Sequence, residues 1–342
     1  VIHPRLPIKL LLLCLLLFPV GCREVPADRL YALHLGHAPE GGDWERALPR
    51  EITVRGGRLH KEALLPDIDQ DTVHVTTASC HHGASLPDPV EVDLRAFYTD
   101  SELWLRLSWA DATHDEQMMN WRWDGQEWHN TGGFEDGFGL LWDSRAAYPR
   151  FSCSYACHID DFGVSGDNFH ALNKMKLARD GVQLDLWNWK AQRTGSHGFA
   201  DDRYLDKEGM HGDLPGELFR PNSRAALHPE EGLQPFVAGD APLVLADNSP
   251  VSKAFLPAGS QAPGYLTERP TGSRADIPAM ASYQNGRWTV ILHRKLDTGD
   301  PRDVIFVPGD EAGVAFGLSL MDNTLMEHYA STTEEHLVLL RP

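Results

Sequence analysis

From Val90 to Trp109 apolar and polar residues alternate one by one. Val90, Val92, Leu94 and Ala96 interleave with Glu91, Asp93 and Arg95; after the turn Thr99-Asp100-Ser101, Leu103, Leu105, Leu107 and Trp109 interleave with Trp104, Arg106 and Ser108. A period of two sends one set of side chains to a single face, so this stretch predicts a hairpin with one buried side. The same rhythm predicts strands at Glu51 to Val54, Thr72 to Thr76, Gly137 to Trp142 and Val182 to Trp189. It returns at Trp288 to His293, Val304 to Val307, Val314 to Leu320 and His336 to Leu340. No stretch carries a long, capped helical period, and the fold expected is all-β, an antiparallel β-sandwich.

Between Lys207 and Ala279 the alternation lapses into a segment rich in Pro, Gly and Ser. Phe219, Phe236, Phe255 and Tyr265 give it apolar anchors, so residues 207–279 read as an irregular, ordered insertion over the sandwich; the rival is a disordered linker.

The beginning of the chain has a different pattern. Arg5 and Lys9 precede an apolar run from Leu10 to Phe18, which ends at Pro19-Val20-Gly21-Cys22. That run is too short to span a bilayer and has the anatomy of an export signal. Residues 1–21 are therefore expected to be cleaved, with Cys22 lipidated and residues 22–40 forming a tether; a plain secretory signal with a chance cysteine is the alternative. The expected location is the periplasm or cell surface, and Arg23 in place of an inner-membrane retention aspartate favours the outer membrane.

Charge narrows the partners. The chain holds 49 acidic and 31 basic residues, a formal charge of −18, and removal of residues 1–21 leaves about −20. A surface this negative repels nucleic acid and leaves the lipid anchor as the route to a membrane.

Candidate chemistry concentrates at Phe151-Ser152-Cys153-Ser154-Tyr155-Ala156-Cys157-His158. Two thiols followed by an imidazole suit covalent attachment of haem, the cysteines adding to the vinyl groups and the histidine ligating iron. Three residues separate the cysteines where the usual motif has two, so a redox-inert disulfide and a partial zinc site stay open. Cys80 is a third thiol, either buried and free or bridged to Cys153 or Cys157.

Several ordered words now resemble one family. They are Gly42-Asp43-Trp44 with Ala47, Trp109-Ala110-Asp111-Ala112-Thr113, Glu135-Asp136-Gly137 leading to Leu141-Trp142, and the cysteine motif. Then follow Asp185-Leu186-Trp187-Asn188-Trp189-Lys190-Ala191, Ala200-Asp201-Asp202, and the stretch from Pro270 to Asp276. Gly286-Arg287-Trp288, the stretch from Arg294 to Asp300, and Asp322-Asn323 with His328 complete the set. From Gly42 onward the chain is similar to the haem-binding subunits related to the gamma subunit of ethylbenzene dehydrogenase, whose fold is that of family 9 carbohydrate-binding modules.

The resemblance implies one haem-binding domain over residues 41–342 that moves electrons for a partner and does not itself transform a substrate. The partner would be a molybdenum oxidoreductase, a multihaem cytochrome or a quinone-linked complex. Some relatives hold b-type haem through a methionine and a lysine; others carry a cysteine-cysteine-histidine motif. Cys153, Cys157 and His158 match the latter, so c-type haem is favoured over b-type. For the remaining axial position the candidates are His81 or His82 in a polar, glycine-terminated loop, Met175, and Lys190, or the position stays open.

Two other classes of function have residues in their favour. Trp104, Trp121, Trp123, Trp128, Trp187 and Trp189 suggest a sugar platform, as in a carbohydrate-binding lipoprotein with a structural disulfide and no haem, though core packing is the commoner role of such residues. Asp111, Asp115, Glu135, Asp136, Asp160 and Asp161, with His114, His129 and His170, offer acid–base groups, but no nucleophile elbow, phosphate loop or zinc-protease motif accompanies them. An electron-transfer protein, not an enzyme, is therefore expected.

Overall fold

The computed structural model describes residues 28–55, 89–147, 151, 177, 181–214, 219–223, 240–252, 256–323, 329–331 and 333–342. Its strands are β1 (Arg29–His34), β2 (Arg50–Arg55), β3 (Val90–Tyr98), β4 (Glu102–Ala110), β5 (Trp121–Trp123), β6 (Trp128–Asn130) and β7 (Gly137–Asp143). There follow β8 (Leu184–Lys190), β9 (Phe199–Asp206), β10 (Gly209–Gly212), β11 (Phe219–Pro221), β12 (Gln261–Ala262) and β13 (Tyr265–Thr267). The last are β14 (Ile277–Tyr283), β15 (Arg287–Lys295), β16 (Val314–Met321), β17 (Tyr329–Ser331) and β18 (Glu335–Leu339). No helix among the described residues is long and apolar enough to cross a membrane.

The predicted hairpin is β3 and β4, paired from Val92 opposite Trp109 to Tyr98 opposite Leu103. Glu91 is exposed between buried Val90 and Val92, as a one-sided strand requires. β15 continues the sheet beside β4, with Val290 against Leu107 and Leu292 against Leu105.

Pairing runs on through β14, β9, β8 and β7, and in the other direction through β2, β17 and β16. β7 then pairs with β16, Gly137 opposite Met321 and Leu140 opposite Leu318, and ten antiparallel strands close on themselves. The expected sandwich is therefore incorrect: the strands form one closed barrel, not two stacked sheets. Alternation reports which face of a strand is buried, and a sandwich and a barrel bury the same faces; only the β7–β16 and β17–β2 ladders distinguish them.

Apolar side chains fill the barrel, among them Leu94, Leu105, Leu107, Trp109, Leu292 and Leu318. Full burial of each leucine contributes about 1.5–3 kcal/mol. β1 lies outside the ten-strand ring, parallel to both β18 and β3. Val304 to Val307 has the predicted alternation, with Val304 and Phe306 buried and Ile305 and Val307 exposed, but it joins no strand; Phe306 N–H bonds instead to the Leu296 carbonyl. The six tryptophans that suggest a sugar platform in the sequence are all buried.

Within residues 207–279 the described chain adds two small sheets, β11 with β13 and β12 with β5 and β6. Phe219 and Tyr265 are buried there; Phe236 and Phe255 lie outside the described residues.

Candidate functional site

Of the residues expected to hold haem, Lys190 is described. Cys153, Cys157, His158, Met175, His81 and His82 lie outside the described residues, as do Cys22, Cys80, Asp160, Asp161, His170 and the strand expected at Thr72 to Thr76.

Lys190 ends β8, a strand buried along its whole length. Thr194 ties this end down: its hydroxyl accepts the Lys190 N–H at 2.8 Å and donates to the Lys190 carbonyl at 3.1 Å. The ammonium nitrogen lies 3.5 Å from Asp201 on β9 and 5.5 Å from the centre of the Phe219 ring. Burial is the main force on the amine and lowers its pKa to about 7; Arg193 and Arg203 act in the same direction, while Asp201 opposes them. Asp201 is fully enclosed, and burial alone would raise its pKa. Lys190, Arg203 and Arg274 outweigh that, and the carboxyl stays below its ordinary value, with Arg274 bonded to it at 2.9 Å.

Glu135 braces the adjoining turn. Its carboxylate accepts the Gln192 N–H at 2.6 Å and the Arg193 N–H at 2.8 Å, and pairs with the Arg193 side chain. The Arg193 guanidinium in turn lies over Phe219 and Tyr265, 5.1 and 5.6 Å from their ring centres.

Met118 and Met119 belong to the same apolar cluster as Phe199, Phe219 and Tyr265, and sequence reading missed them. They follow a polar stretch, His114-Asp115-Glu116-Gln117, with no alternation to mark them. The Met118 N–H donates to the Gln192 side chain, which joins this segment to the Lys190 turn. Met119 has φ of 50°, a left-handed conformation that a non-glycine residue adopts only where its surroundings impose it.

The other candidate acids separate into groups. Asp185, Asp202 and Asp303 surround Arg294, which lies 3.0, 3.0 and 3.7 Å from them and stacks over Trp187 at 4.6 Å. Arg294 supplies this cluster with its positive charge. Asp111, Asp136 and Asp322, all buried, meet at the end of the barrel with one oxygen of each within 4.8 Å of the others. Burial above all, with the charge of Asp111, pushes the Asp136 pKa up to about 8; burial, aided by Asp115, raises that of Asp111. His114 stacks on Tyr283 at 4.4 Å, and His129 pairs with exposed Asp124 at 2.8 Å.

Comparison with curated proteins finds no match. Among solved structures, a candidate carbohydrate-binding protein from Bacteroides uniformis is similar at 9% identity and a TM-score of 0.35, over 89% of this chain and 88% of that one. The family model described as ethylbenzene dehydrogenase matches residues 42–331, and with most of its length so matched the chain belongs to that family.

Proposed function

We propose that the chain is a haem-binding subunit that passes electrons, with Lys190 as an axial ligand of the iron. The observation that carries this reading is a fully buried primary amine whose pKa is brought down to about 7. Only the unprotonated amine has a lone pair to offer a metal, and an ordinary lysine near neutrality is almost wholly protonated. What supports a haem here is the chemistry of the donors: a buried nitrogen beside the Phe219 ring, with the thioether residues Met118 and Met119 in the apolar cluster that includes that ring.

Bound haem would supply a one-electron cycle between ferrous and ferric iron. The protein's own residues would present the donor and set its protonation. Thr194 fixes the backbone of Lys190, Asp201 tunes its proton, and the Phe219 ring lies beside the amine. The methionine pair favours b-type ligation by lysine and methionine. Cys153, Cys157 and His158 support the covalent alternative by their motif.

Membership of the family supports a molybdenum oxidoreductase as the partner, with a multihaem cytochrome or a quinone-linked complex as the alternative redox partners. Substrate chemistry would then belong to the partner, and Cys22 would anchor this chain to the membrane of an exported complex. The carbohydrate-binding reading gains nothing from the tryptophans, which are enclosed.

The test is the spectrum of protein produced in a host with cytochrome c maturation. The expected protein is red with a Soret band, and Lys190→Ala binds haem at least tenfold more weakly or with a shifted band. Haem released by acidified acetone identifies b-type binding; haem retained on the denatured chain identifies thioether links. A colourless protein that takes up no haemin, or a Lys190→Ala spectrum identical to that of the parent, overturns the proposal.

A further inference from the structure

We propose that Asp111, Asp136 and Asp322 form a calcium site that fastens opposite walls of the barrel at its end. Asp111 follows the last residue of β4, Asp136 precedes the first residue of β7, and Asp322 follows the last residue of β16. β7 and β16 are neighbours, but β4 stands across the barrel from both. Three segments of the chain thus deliver a carboxylate each to one buried point.

Much of the cluster's hydrogen bonding is directed at Asp136. Its Oδ1 accepts the Asn323 N–H at 3.2 Å, and its Oδ2 accepts the Asp115 N–H at 2.9 Å and the Trp288 indole N–H at 3.0 Å. Asp111 differs. Its side chain is buried and Oδ1 accepts the Thr113 N–H at 3.0 Å, but Oδ2 has no hydrogen-bond partner among the described residues, the Trp109 indole lying near it outside bonding geometry. Oδ2 of Asp115, whose charge acts on Asp111, is likewise enclosed and unpartnered. Buried carboxyl oxygens without donors point to a cation.

The neighbouring acid clusters show why this one is singled out. Arg294 occupies the middle of Asp185, Asp202 and Asp303, and Arg302 pairs with Asp300 at 2.7 Å in the cluster that includes Asp213. Asp124, Glu127 and His129 are exposed and bond to one another and to local backbone. Asp111 and Asp136 feel burial, hydrogen-bond donors and other carboxylates, and none of these is a basic side chain. An all-oxygen set of carboxylates with the Thr113 hydroxyl, 3.5 Å from both Asp111 and Asp322, selects a hard cation; calcium tolerates such an irregular set better than magnesium, which demands a strict octahedron.

Asp111 and Asp136 also bracket the segment that carries Met118 and Met119, and the Asp136 carbonyl accepts the Ala191 N–H at 2.8 Å, next to Lys190. The cation would close the base of that segment. The site does not depend on haem, and its test is read without it.

The experiment uses the whole chain, stripped with EGTA and titrated with calcium and, separately, with terbium excited through tryptophan. One calcium per chain, a higher melting temperature with calcium, and terbium emission displaced by calcium are expected. Asp111→Asn should bind calcium at least tenfold more weakly, and Asp124→Asn should bind it as the parent does. If Asp111→Asn does not fold, Thr113→Ala and the parent's own calcium-dependent melting decide the matter. Absence of calcium binding by the folded parent, or undiminished affinity in folded Asp111→Asn, overturns the proposal.

Discussion

At the scale of single residues, buried charge is the theme, and its sign can be tested. Asp213 has its pKa raised to about 7, first by burial and then by Asp303. Unfolded, the same carboxyl titrates near 3.9. Between about pH 4 and 7 the folded state therefore holds the proton that the unfolded state has released, so stability falls as pH rises through that window and stays low above it. Asp276, raised to about 6 chiefly by burial, acts in the same direction. Melting curves from pH 5 to 8 should show the parent losing stability and Asp213→Asn losing less. Arg294 is the opposite case: despite burial, the surrounding aspartates raise its pKa above the ordinary value. Arg294→Met would leave those carboxylates buried without their cation, a loss of about 3–5 kcal/mol that urea denaturation should register. Lys190 was legible as a candidate because it lies in a word that resembles the family, whereas its depressed pKa comes first from burial and then from Arg193 and Arg203, against the pull of Asp201, and spacing along the chain reveals none of these.

At the scale of elements, strands were legible where apolar residues dominate at least one face, in the wholly buried β7 and β8 as well as in strands with an outer face. β3, β4 and β15 each turn a face outward, and their alternation showed. β9 did not, because Phe-Ala-Asp-Asp-Arg reads as a polar loop while all five residues are buried, their charges met by Lys190, Arg274 and Arg294. β14 was hidden by Pro278 and a run of small residues. The Met118–Met119 segment was missed for a further reason: its conformation is imposed from outside. A side chain at Gly264 would overlap the carbonyl oxygens of both methionines, so Gly264 is what lets this backbone pass. Gly264→Ala should lower stability by about 1–3 kcal/mol in thermal melts, and should weaken haem uptake in the same preparation if the methionines contribute to it.

At the scale of the whole molecule, closure was beyond the reach of periodicity, since a strand carries no mark of which distant strand will complete its ladder. The same limit applies to the carboxylates at the end of the barrel: Asp111, Asp136 and Asp322 are ordinary acids in sequence and become neighbours only when the ring closes. β1 adds a consequence of its own. It runs parallel to β18, in register from Arg29 opposite His336 to Ala32 opposite Leu339, and then parallel to β3 up to His34 opposite Tyr98. Tension drawing the chain backward from Arg29 while the far end is held would load these ladders in shear, many bonds at once, instead of peeling them singly, so a protein moored by its leading segment would resist being pulled apart.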